Sequence, residues 1–256
     1  MDSIFIMIDC QVSHPSLPCL FDPLVANNPS LWAVFLGKLA GQAVVDNLER
    51  PTQCLLRTEA YLTYASRYMS PAFLEEAIER IKQTGPIWLV RNQGDPPAPG
   101  GHKTIPRLEF YDYDPSSPIL THLRQQLPNG YHIQGMDLDL LQRCEWRDDM
   151  KFYCGSLDNF LLHGVGLCLM HGKEIIVETY ANALGSPYAE IGAITHQAYR
   201  GRGYAGVAVA FLIDTLEQRG YHAYWSCDQD NPASARVARK LGFQVELSYE
   251  IFEYMP

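Results

Sequence analysis

Residues 189–205 of this chain have the sequence AEIGAITHQAYRGRGYA. The segment begins with an apolar run typical of a β-strand, passes through a loop with two glycines and two arginines, and enters a long apolar segment over residues 206–216. A strand, a glycine loop and a helix in this order bring several backbone N–H groups and the positive end of a helix dipole to one point. The segment therefore predicts a phosphate site at a helix N-terminus.

The C-terminal half around this segment alternates strands with helices. Residues 166–170 and 174–180 predict a hairpin, residues 204–219 a helix that ends before Gly220, and residues 221–227 a strand. Asn231 as N-cap and Pro232 at the first helical position begin a last helix that ends near Gly242, and strand character follows to residue 254. Because strands and helices alternate, at least part of the sheet should be parallel.

The N-terminal half predicts a second, smaller α/β unit. Residues 30–41 have a helical apolar stripe, residues 43–47 and 54–57 predict two short strands, and residues 70–81 predict a helix with serine as N-cap and proline at the first helical position. A Pro-Asn-Gly turn over residues 128–130 marks a change in character. We predict an N-terminal domain over residues 1–128 and a second domain over residues 129–256.

The bulk composition excludes several classes of protein. A formal net charge of −9 argues against a nucleic-acid binder, and no twenty-residue apolar stretch is present, which excludes a membrane span. The seven cysteines are scattered without a C-x-x-C motif, as expected for reduced thiols and no structural metal site. Residues 1–9 lack the basic region and long apolar core of a signal peptide, so we predict a cytoplasmic protein.

Two short motifs carry a more specific signal. Arg200, Gly203 and Ala205 fit Arg-x-x-Gly-x-Ala, which alone could be a strand-to-helix turn with surface arginines. Asn231 and Ser234 precede Lys-Leu-Gly-Phe at residues 240–243, which alone could be an N-cap and a C-terminal glycine. In this order and about thirty residues apart, the two motifs resemble those of the GNAT superfamily of acetyl-CoA-dependent N-acetyltransferases.

The resemblance implies an α/β (α+β) fold with a mixed, partly parallel central sheet. In that fold the fourth and fifth strands, here about residues 189–195 and 222–227, splay apart and the pantetheine arm of the cofactor lies between them. Residues 156–243 look similar to the GNAT branch that carries a degenerate, GNAT-like N-terminal half. The resemblance is strong over about 130–256 and weak over 1–128.

The resemblance also implies a donor site. Backbone N–H groups of the glycine loop would hold the pyrophosphate of acetyl-CoA, the edge of the fourth strand would pair with the pantetheine amides, and the second motif would contact the far side of the cofactor. The cofactor-binding residues implied are Ile194, Thr195, Arg200, Gly201, Arg202, Gly203, Tyr204, Ala205, Asn231 and Ser234. An unknown amine of a small molecule or peptide would then attack the thioester carbonyl directly, and no metal is implied.

Glu190 is the first candidate for the catalytic base that such an attack needs. It begins the predicted fourth strand, where GNAT enzymes often carry a carboxylate, although an exposed glutamate at a strand end is the rival interpretation. Asp228, Asp230 and His196 are lesser candidates.

One position departs from the family pattern. Many GNAT enzymes have a tyrosine seven residues after the motif asparagine, which acts as an acid toward the CoA sulfur, and here that residue is Ala238. Either Ser226, Tyr224 or Tyr249 substitutes for it, or the thiolate leaves without help. The departure keeps open an alternative function, a catalytically silent acyl-CoA-binding sensor or scaffold module of GNAT fold.

The acceptor is not determined by these motifs, because one fold serves many chemistries. Its pocket is expected from residues 131–163, a loop at 181–188 and the closing strands. The segment 144–154, which contains cysteine and tryptophan, either lines this pocket or belongs to the core. The sequence leaves open whether the protein forms a homodimer.

Overall fold

The structure, a computed structural model, describes residues 7–92, 95 and 97–256. Residues 1–6, on which the signal-peptide argument partly depends, lie outside the described residues. The strands are β1 (Ile8–Cys10), β2 (Gly41–Val45), β3 (Cys54–Thr58), β4 (Leu62–Ala65), β5 (Ile87–Asn92), β6 (Lys103–Tyr111), β7 (Tyr131–Gly135), β8 (Val165–His171), β9 (Glu174–Gly185), β10 (Tyr188–Thr195), β11 (His222–Asp228) and β12 (Val245–Tyr254). The α-helices are α1 (Pro29–Phe35), α2 (Pro71–Ile81), α3 (Pro118–Gln125), α4 (Leu138–Leu141), α5 (Arg147–Cys154), α6 (Leu157–His163), α7 (Tyr204–Gln218) and α8 (Pro232–Leu241).

The twelve strands found in the described residues belong to one mixed sheet, in the order β1-β2-β3-β4-β5-β12-β6-β11-β10-β9-β8-β7. The two halves of the chain repeat a pattern. In each half, antiparallel strands lead to a helical crossover between two parallel strands, with α2 between β4 and β5 and α7 between β10 and β11.

The two halves exchange strands at the centre of the sheet. The last strand, β12, pairs with β5 of the N-terminal half, whereas β6 of the N-terminal half pairs with β11 of the C-terminal half. The strands β6 and β12 also pair with each other. The predicted boundary at residues 128 and 129 falls between α3 and β7, and the sheet continues across it. Two separate domains therefore stay a prediction.

The predicted splayed strands are confirmed. The strands β10 and β11 are parallel neighbours only from Tyr188 opposite His222 to Ile191 opposite Trp225. Beyond this point β10 continues along β9 to Thr195, and β11 continues along β6 to Asp228. The strands β10 and β11 are therefore paired over four residue pairs, and a gap opens between them after Ile191 and Trp225.

Helices cover both faces of the sheet. The helices α2, α3, α7 and α8 cover one face, because their apolar clusters use alternate strand residues such as Phe110 and Trp225. Segment 17–35, which includes α1, and the helices α4–α6 pack on the other face. The helix α7 buries eight residues between Gly206 and Leu216, so most of its surface is core. The long apolar segment of the sequence predicts this burial.

Two sequence expectations need correction. The predicted loop at 181–188 is wrong, because β9 extends to Gly185 and β10 begins at Tyr188. Within β9, Asn182 is an extra residue, since Glu190 pairs with Ala183 and Ile191 with Ala181. The structure also contains α5, for which no helix was predicted. None of the described helices is long and apolar enough to cross a bilayer.

Candidate functional site

A cleft of about 1620 Å³ opens in the gap between β10 and β11. From the glycine loop it runs past Glu190 to the face of the sheet that α1 and α5 cover, and both halves of the chain line it. Pockets for one small ligand usually measure about 300–1,000 Å³. The cleft is therefore large enough for two substrates at once.

The glycine loop ends at a helix N-terminus with free N–H groups. Gly201 and Gly203 have φ angles of +77° and +80°, which favour glycine, and Gly203 is the N-cap of α7 without a side-chain hydrogen bond. By contrast, Ser70 caps α2 and Asn231 caps α8 with their own side chains. The first N–H groups of an α-helix have no acceptor in a preceding helical turn. In α7 the N–H of Gly206 donates to the carbonyl of Gly203 at 3.1 Å, and those of Tyr204 and Ala205, which line the cleft, have no side-chain cap. An anion would satisfy them.

Basic side chains surround this helix end. Arg200, Arg236 and Lys240 line the cleft. The Nζ atom of Lys240 lies 3.5 Å from the position that a Cβ on Gly203 would occupy. Arg236 and Lys240 are one helical turn apart on α8, so the second motif contributes charge as well as caps. Sequence reasoning used Lys240 only as a family marker and missed its place beside the loop.

The open edge of β10 forms the wall next to the loop. Ile194 and Thr195 line the cleft beyond the point where β11 diverges. The backbone carbonyl of Thr195 accepts a hydrogen bond from Nε of Arg200 at 3.0 Å, which ties the loop to the strand. On the side that faces away from β9, the other backbone groups of this edge beyond Ile191 have no neighbouring strand.

The other predicted cofactor residues divide into two groups. Tyr204, Ala205, Asn231 and Ser234 line the cleft, whereas the side chain of Arg202 does not. Arg202 instead donates to the carbonyl of Ala198 at 3.4 Å and lies over the ring of Tyr199. Its side chain therefore lies outside the cleft.

Asn231 and Ser234 already have protein partners. The Oδ1 atom of Asn231 accepts from the N–H of Ser234 at 3.1 Å, and Oγ of Ser234 accepts from Nε1 of Trp225 at 3.0 Å. These bonds correspond to the capping alternative that their sequence motif allowed. Their cofactor contacts stay a prediction.

Glu190 lies half-buried at the middle of the cleft. Oγ of Ser226 donates to its carboxylate at 2.7 Å. With the amide of Asn27 oriented as its neighbours require, Nδ2 lies 3.2 Å from both carboxylate oxygens. Burial raises the pKa of Glu190, while the Ser226 hydrogen bond and the charge of Arg107 act in the opposite direction. The side chain is therefore no ordinary exposed strand-end glutamate.

Asn27 reaches Glu190 from the N-terminal half. Its backbone has a φ of +49°, which asparagine tolerates, and its N–H donates to Oη of Tyr224 at 2.8 Å and to Oε2 of Glu109 at 3.1 Å. Its carbonyl accepts from Oη of Tyr64 at 2.6 Å. Because backbone contacts on both sides hold Asn27, its amide is fixed in front of Glu190. No motif in the sequence signals this residue.

Arg107 connects the remaining polar groups on this face. Its guanidinium donates to Oγ of Ser226 at 3.0 Å, to Oη of Tyr249 at 3.3 Å and to Oδ1 of Asp228 at 2.5 Å. Asp228, a lesser candidate for the base, is therefore held in an ion pair. Arg107 lies on β6, so this contact to β11 also depends on the strand exchange.

His196 and Asp230 are the other lesser candidates for the base. Nε2 of His196 lies 2.8 Å from the fully buried carboxylate of Glu178, which also accepts the N–H groups of Glu145 and Trp146. The carboxylate of Glu178 thus holds both His196 and the turn before α5, and His196 does not line the cleft. Asp230 lines the cleft on the loop after β11.

The candidate acids occupy different environments. Ala238 lies on the buried face of α8 and is fully enclosed in the core. The hydroxyl of Tyr224 donates to Glu109, and burial raises the pKa of Tyr249 to about 12, so both tyrosines are buried members of the polar network. Ser226 lines the cleft, and its hydroxyl is already engaged with Glu190 and Arg107.

The splayed parallel strands, the uncapped glycine loop and the carboxylate beside them define the class of protein, an acyltransferase with the GNAT fold. Residues 22–252 match the family described as GNAT acetyltransferase. This match covers well over half of the chain, so the chain belongs to the GNAT acetyltransferase family.

Individual relatives agree with this assignment. An uncharacterized N-acetyltransferase of Bacillus subtilis (strain 168), YdfB, is 29% identical over 148 residues, which are 57% of this chain and 56% of YdfB. The chain thus matches little more than half of the length of that relative.

Solved structures show the same fold. A GCN5-related N-acetyltransferase-like protein from Streptococcus suis 89/1591 superposes with a TM-score of 0.66 at 22% identity, over 92% of this chain and 96% of that one. A protein from the GNAT family of Novosphingobium aromaticivorans DSM 12444 superposes with a TM-score of 0.54 at 18% identity, over 79% of this chain and 88% of that one.

Proposed function

We propose that this protein transfers an acetyl group from acetyl-CoA to an amine by direct attack. One observation carries the proposal. A single cleft joins the uncapped N-terminus of α7 to a half-buried carboxylate, Glu190, at the point where β10 and β11 diverge. An anion-binding end and a basic group in one cleft are the two elements that acetyl transfer to an amine needs.

At the donor end, this chain offers groups that fit a pyrophosphate and a pantetheine arm. The N–H groups around Gly201 and Gly203 would bind the phosphates, and Lys240 and Arg200 would add positive charge to an otherwise acidic protein. The open edge of β10 at Ile194 would pair with the pantetheine amides. When bound, acetyl-CoA supplies the thioester that the amine attacks.

At the acceptor end, Glu190 would remove the proton of the attacking amine. A base works best when its pKa is close to the operating pH, and burial moves the pKa of Glu190 upward in that direction. Ser226 and Asn27 would hold the carboxylate in one orientation. Since no tyrosine occupies position 238, we propose that the thiolate leaves without a tyrosine acid.

The function is tested with the full chain, acetyl-CoA and a panel of amines, with acetylated products identified by mass spectrometry. CoA affinity is measured separately by calorimetry. Binding of acetyl-CoA together with an acetylated amine supports the proposal. Binding without transfer to any amine would instead favour the catalytically silent acyl-CoA module, and absence of CoA binding would contradict the donor site itself.

Lys240→Gln is expected to weaken CoA binding about fivefold. One unit charge about 4 Å from a phosphate in a solvent-exposed setting contributes about 1 kcal/mol. Arg202→Gln is the matched control, because the Arg202 side chain points away from the cleft, and we expect less than about a twofold change. Calorimetric titration with CoA measures both. Equal losses for the two variants would contradict the assignment of Lys240.

Asn27→Asp is expected to move the acid limb of the pH–rate profile to higher pH. A carboxylate at position 27 would face Glu190 and raise its pKa further, so Glu190 would lose its proton only at higher pH. Asparagine and aspartate both tolerate the positive φ of this residue, so the fold should persist.

The control for this change is Asn47→Asp in the exposed turn after β2, where aspartate keeps the side-chain oxygen that accepts from Glu49 and Arg50. The midpoint of the acid limb is measured for both variants alongside the unmodified chain. An unshifted midpoint in Asn27→Asp, with CoA affinity retained, would show that Glu190 does not set the limb.

A further inference from the structure

We propose that the cleft beyond Glu190 binds the acceptor as a primary ammonium ion on an apolar, alkyl or aromatic body, with no carboxylate beside the amine. This inference rests on the proposed function and assigns a substrate class to it. The groups that carry it are the carboxylate of Glu190 and a set of aromatic rings contributed by both halves of the chain.

Two aromatic rings stand next to Glu190 over a glycine. A Cβ on Gly192 would lie 3.0 Å from Cζ and Oη of Tyr180 and 3.2 Å from Cζ3 of Trp146. These two rings make an edge contact, with centroids 5.2 Å apart. The absence of a side chain at Gly192 therefore leaves the space that the rings occupy on this face of β10.

The carboxylate and the rings face the same part of the cleft. Ala189 and Ile191 point into the core beneath α7, so Glu190 and Gly192 share the opposite face of β10. Two residues along a strand span about 7 Å. An ammonium bound to the carboxylate of Glu190 on the side of Gly192 would therefore lie within about 6 Å of the rings of Tyr180 and Trp146, the range of a cation–π contact, with its apolar body continuing along the cleft.

Further apolar groups continue the cleft toward the N-terminal half. Tyr153 of α5 and Trp88 of β5 line it, together with Leu62, Ile105 and Ile251. After burial, the negative charge of Glu190 is the largest influence that raises the pKa of Tyr153, which places this ring in the field of the same carboxylate. Thus segment 144–154 contributes both to the core, through Cys144 and Cys154, and to the cleft, through Trp146 and Tyr153.

The charges near Glu190 disfavour an amino acid as acceptor. The cation closest to it in the hydrogen-bond network, Arg107, already donates to Ser226, Tyr249 and Asp228. An α-amino acid would bring its carboxylate close to Glu190 whenever its amine is in position to react, and two carboxylates at close range repel. An amine without that carboxylate avoids the repulsion.

The test uses three small probes with one shared body. Calorimetry with the full chain and saturating CoA compares 2-phenylethylamine with 2-phenylethanol, which lacks the charge, and with phenylalanine, which adds the carboxylate. We expect the amine to bind at least about tenfold more tightly than either. Equal or tighter binding of the alcohol or of phenylalanine would overturn the proposal.

A variant series separates the charge from the apolar surface. A cation–π contact is worth about 0.5–2 kcal/mol, so Trp146→Leu is expected to weaken the amine about 2- to 30-fold and the alcohol by less. Trp146→Phe keeps a ring and is expected to lie in between, which also guards against a folding defect. Tyr68→Leu, at a tyrosine that is 81% exposed, serves as the control and should change neither probe. Equal losses of amine and alcohol in Trp146→Leu would reject the ammonium site.

The CoA affinity of every variant is recorded in the same titrations. If CoA does not bind or no amine is acetylated, the proposed function fails whatever the order of the three probes. If CoA binds and amines are acetylated but the alcohol or phenylalanine binds as well as the amine, only the substrate class fails.

Discussion

Gly203→Ala is expected to weaken CoA binding about tenfold to a hundredfold while the protein still folds. Gly203 has a φ of +80°, and an alanine there costs about 1–2 kcal/mol in the left-handed region. The new Cβ would also project toward Lys240, at the end of α7 where the free N–H groups lie. Losing one hydrogen bond to a charged phosphate accounts for about 1.5–3 kcal/mol of binding free energy.

The same helix supplies a matched control. Gly220, just beyond the C-terminal end of α7, has a φ of +79°, and a Cβ there would meet nothing within 4 Å. Gly220→Ala should therefore lower the free energy of unfolding by a similar amount and leave CoA affinity unchanged. Urea unfolding and calorimetric titration measure the two quantities. Unchanged affinity in Gly203→Ala, or equal loss in both variants, would contradict a phosphate site at this loop.

Glu190→Gln is expected to lower kcat about 10²- to 10⁴-fold, the usual contribution of a general base. Glutamine keeps the size of the side chain and an oxygen that accepts from Ser226, so CoA affinity should not change. The unmodified protein should lose activity as the pH falls through the raised pKa of Glu190. The pH–rate profile of the variant should lack this acid limb. The exposed Glu75→Gln on α2 is the control. An unaltered kcat in Glu190→Gln would remove Glu190 from the chemistry.

Glu190→Gln lowers activity, but at higher pH it should raise the free energy of unfolding relative to the unmodified protein. A carboxyl whose pKa is raised on folding stabilises the folded state fully below the pKa of an unfolded glutamate, about 4.3, and this contribution is lost as the pH rises through the folded pKa. Glutamine does not titrate. The free energy of unfolding of Glu190→Gln should therefore gain on that of the unmodified protein as the pH rises, as measured by urea unfolding across this range. A difference that does not depend on pH would contradict the buried carboxylate.

The two halves differ at the residue that begins each crossover helix. The strands β4 and β5 are parallel and joined by α2, as β10 and β11 are joined by α7. However, Oγ of Ser70 accepts the N–H of Phe73, and Pro71 has no N–H at all. The side chain of Ser70 therefore occupies the N-terminus of α2, whereas that of α7 has no side-chain cap, in agreement with a donor site proposed at α7 alone.

Most of the local structure of the C-terminal half follows from short sequence patterns. The residues that cap α6 and α8 precede their helices directly, so their effect is local and visible in the sequence. The glycine loop is likewise continuous with β10 and α7, and its two positive φ angles are properties of Gly201 and Gly203 themselves. The short helix α5 has no side-chain cap at Trp146, so its start carries no local signal of the kind that marks α6 and α8.

By itself, then, the sequence determined the glycine-loop end of the cleft and the order of the elements that build it, because strand, loop and helix are contiguous there. Only the tertiary structure decided the surroundings of Glu190. Asn27 meets Glu190 across 163 positions of the chain, and Arg107 meets Ser226 across 119. These contacts exist because β6 and β12 are exchanged between the halves and segment 17–35 packs over the sheet. Burial and long-range pairing select such neighbours, and neither leaves a periodic or contiguous pattern in the sequence.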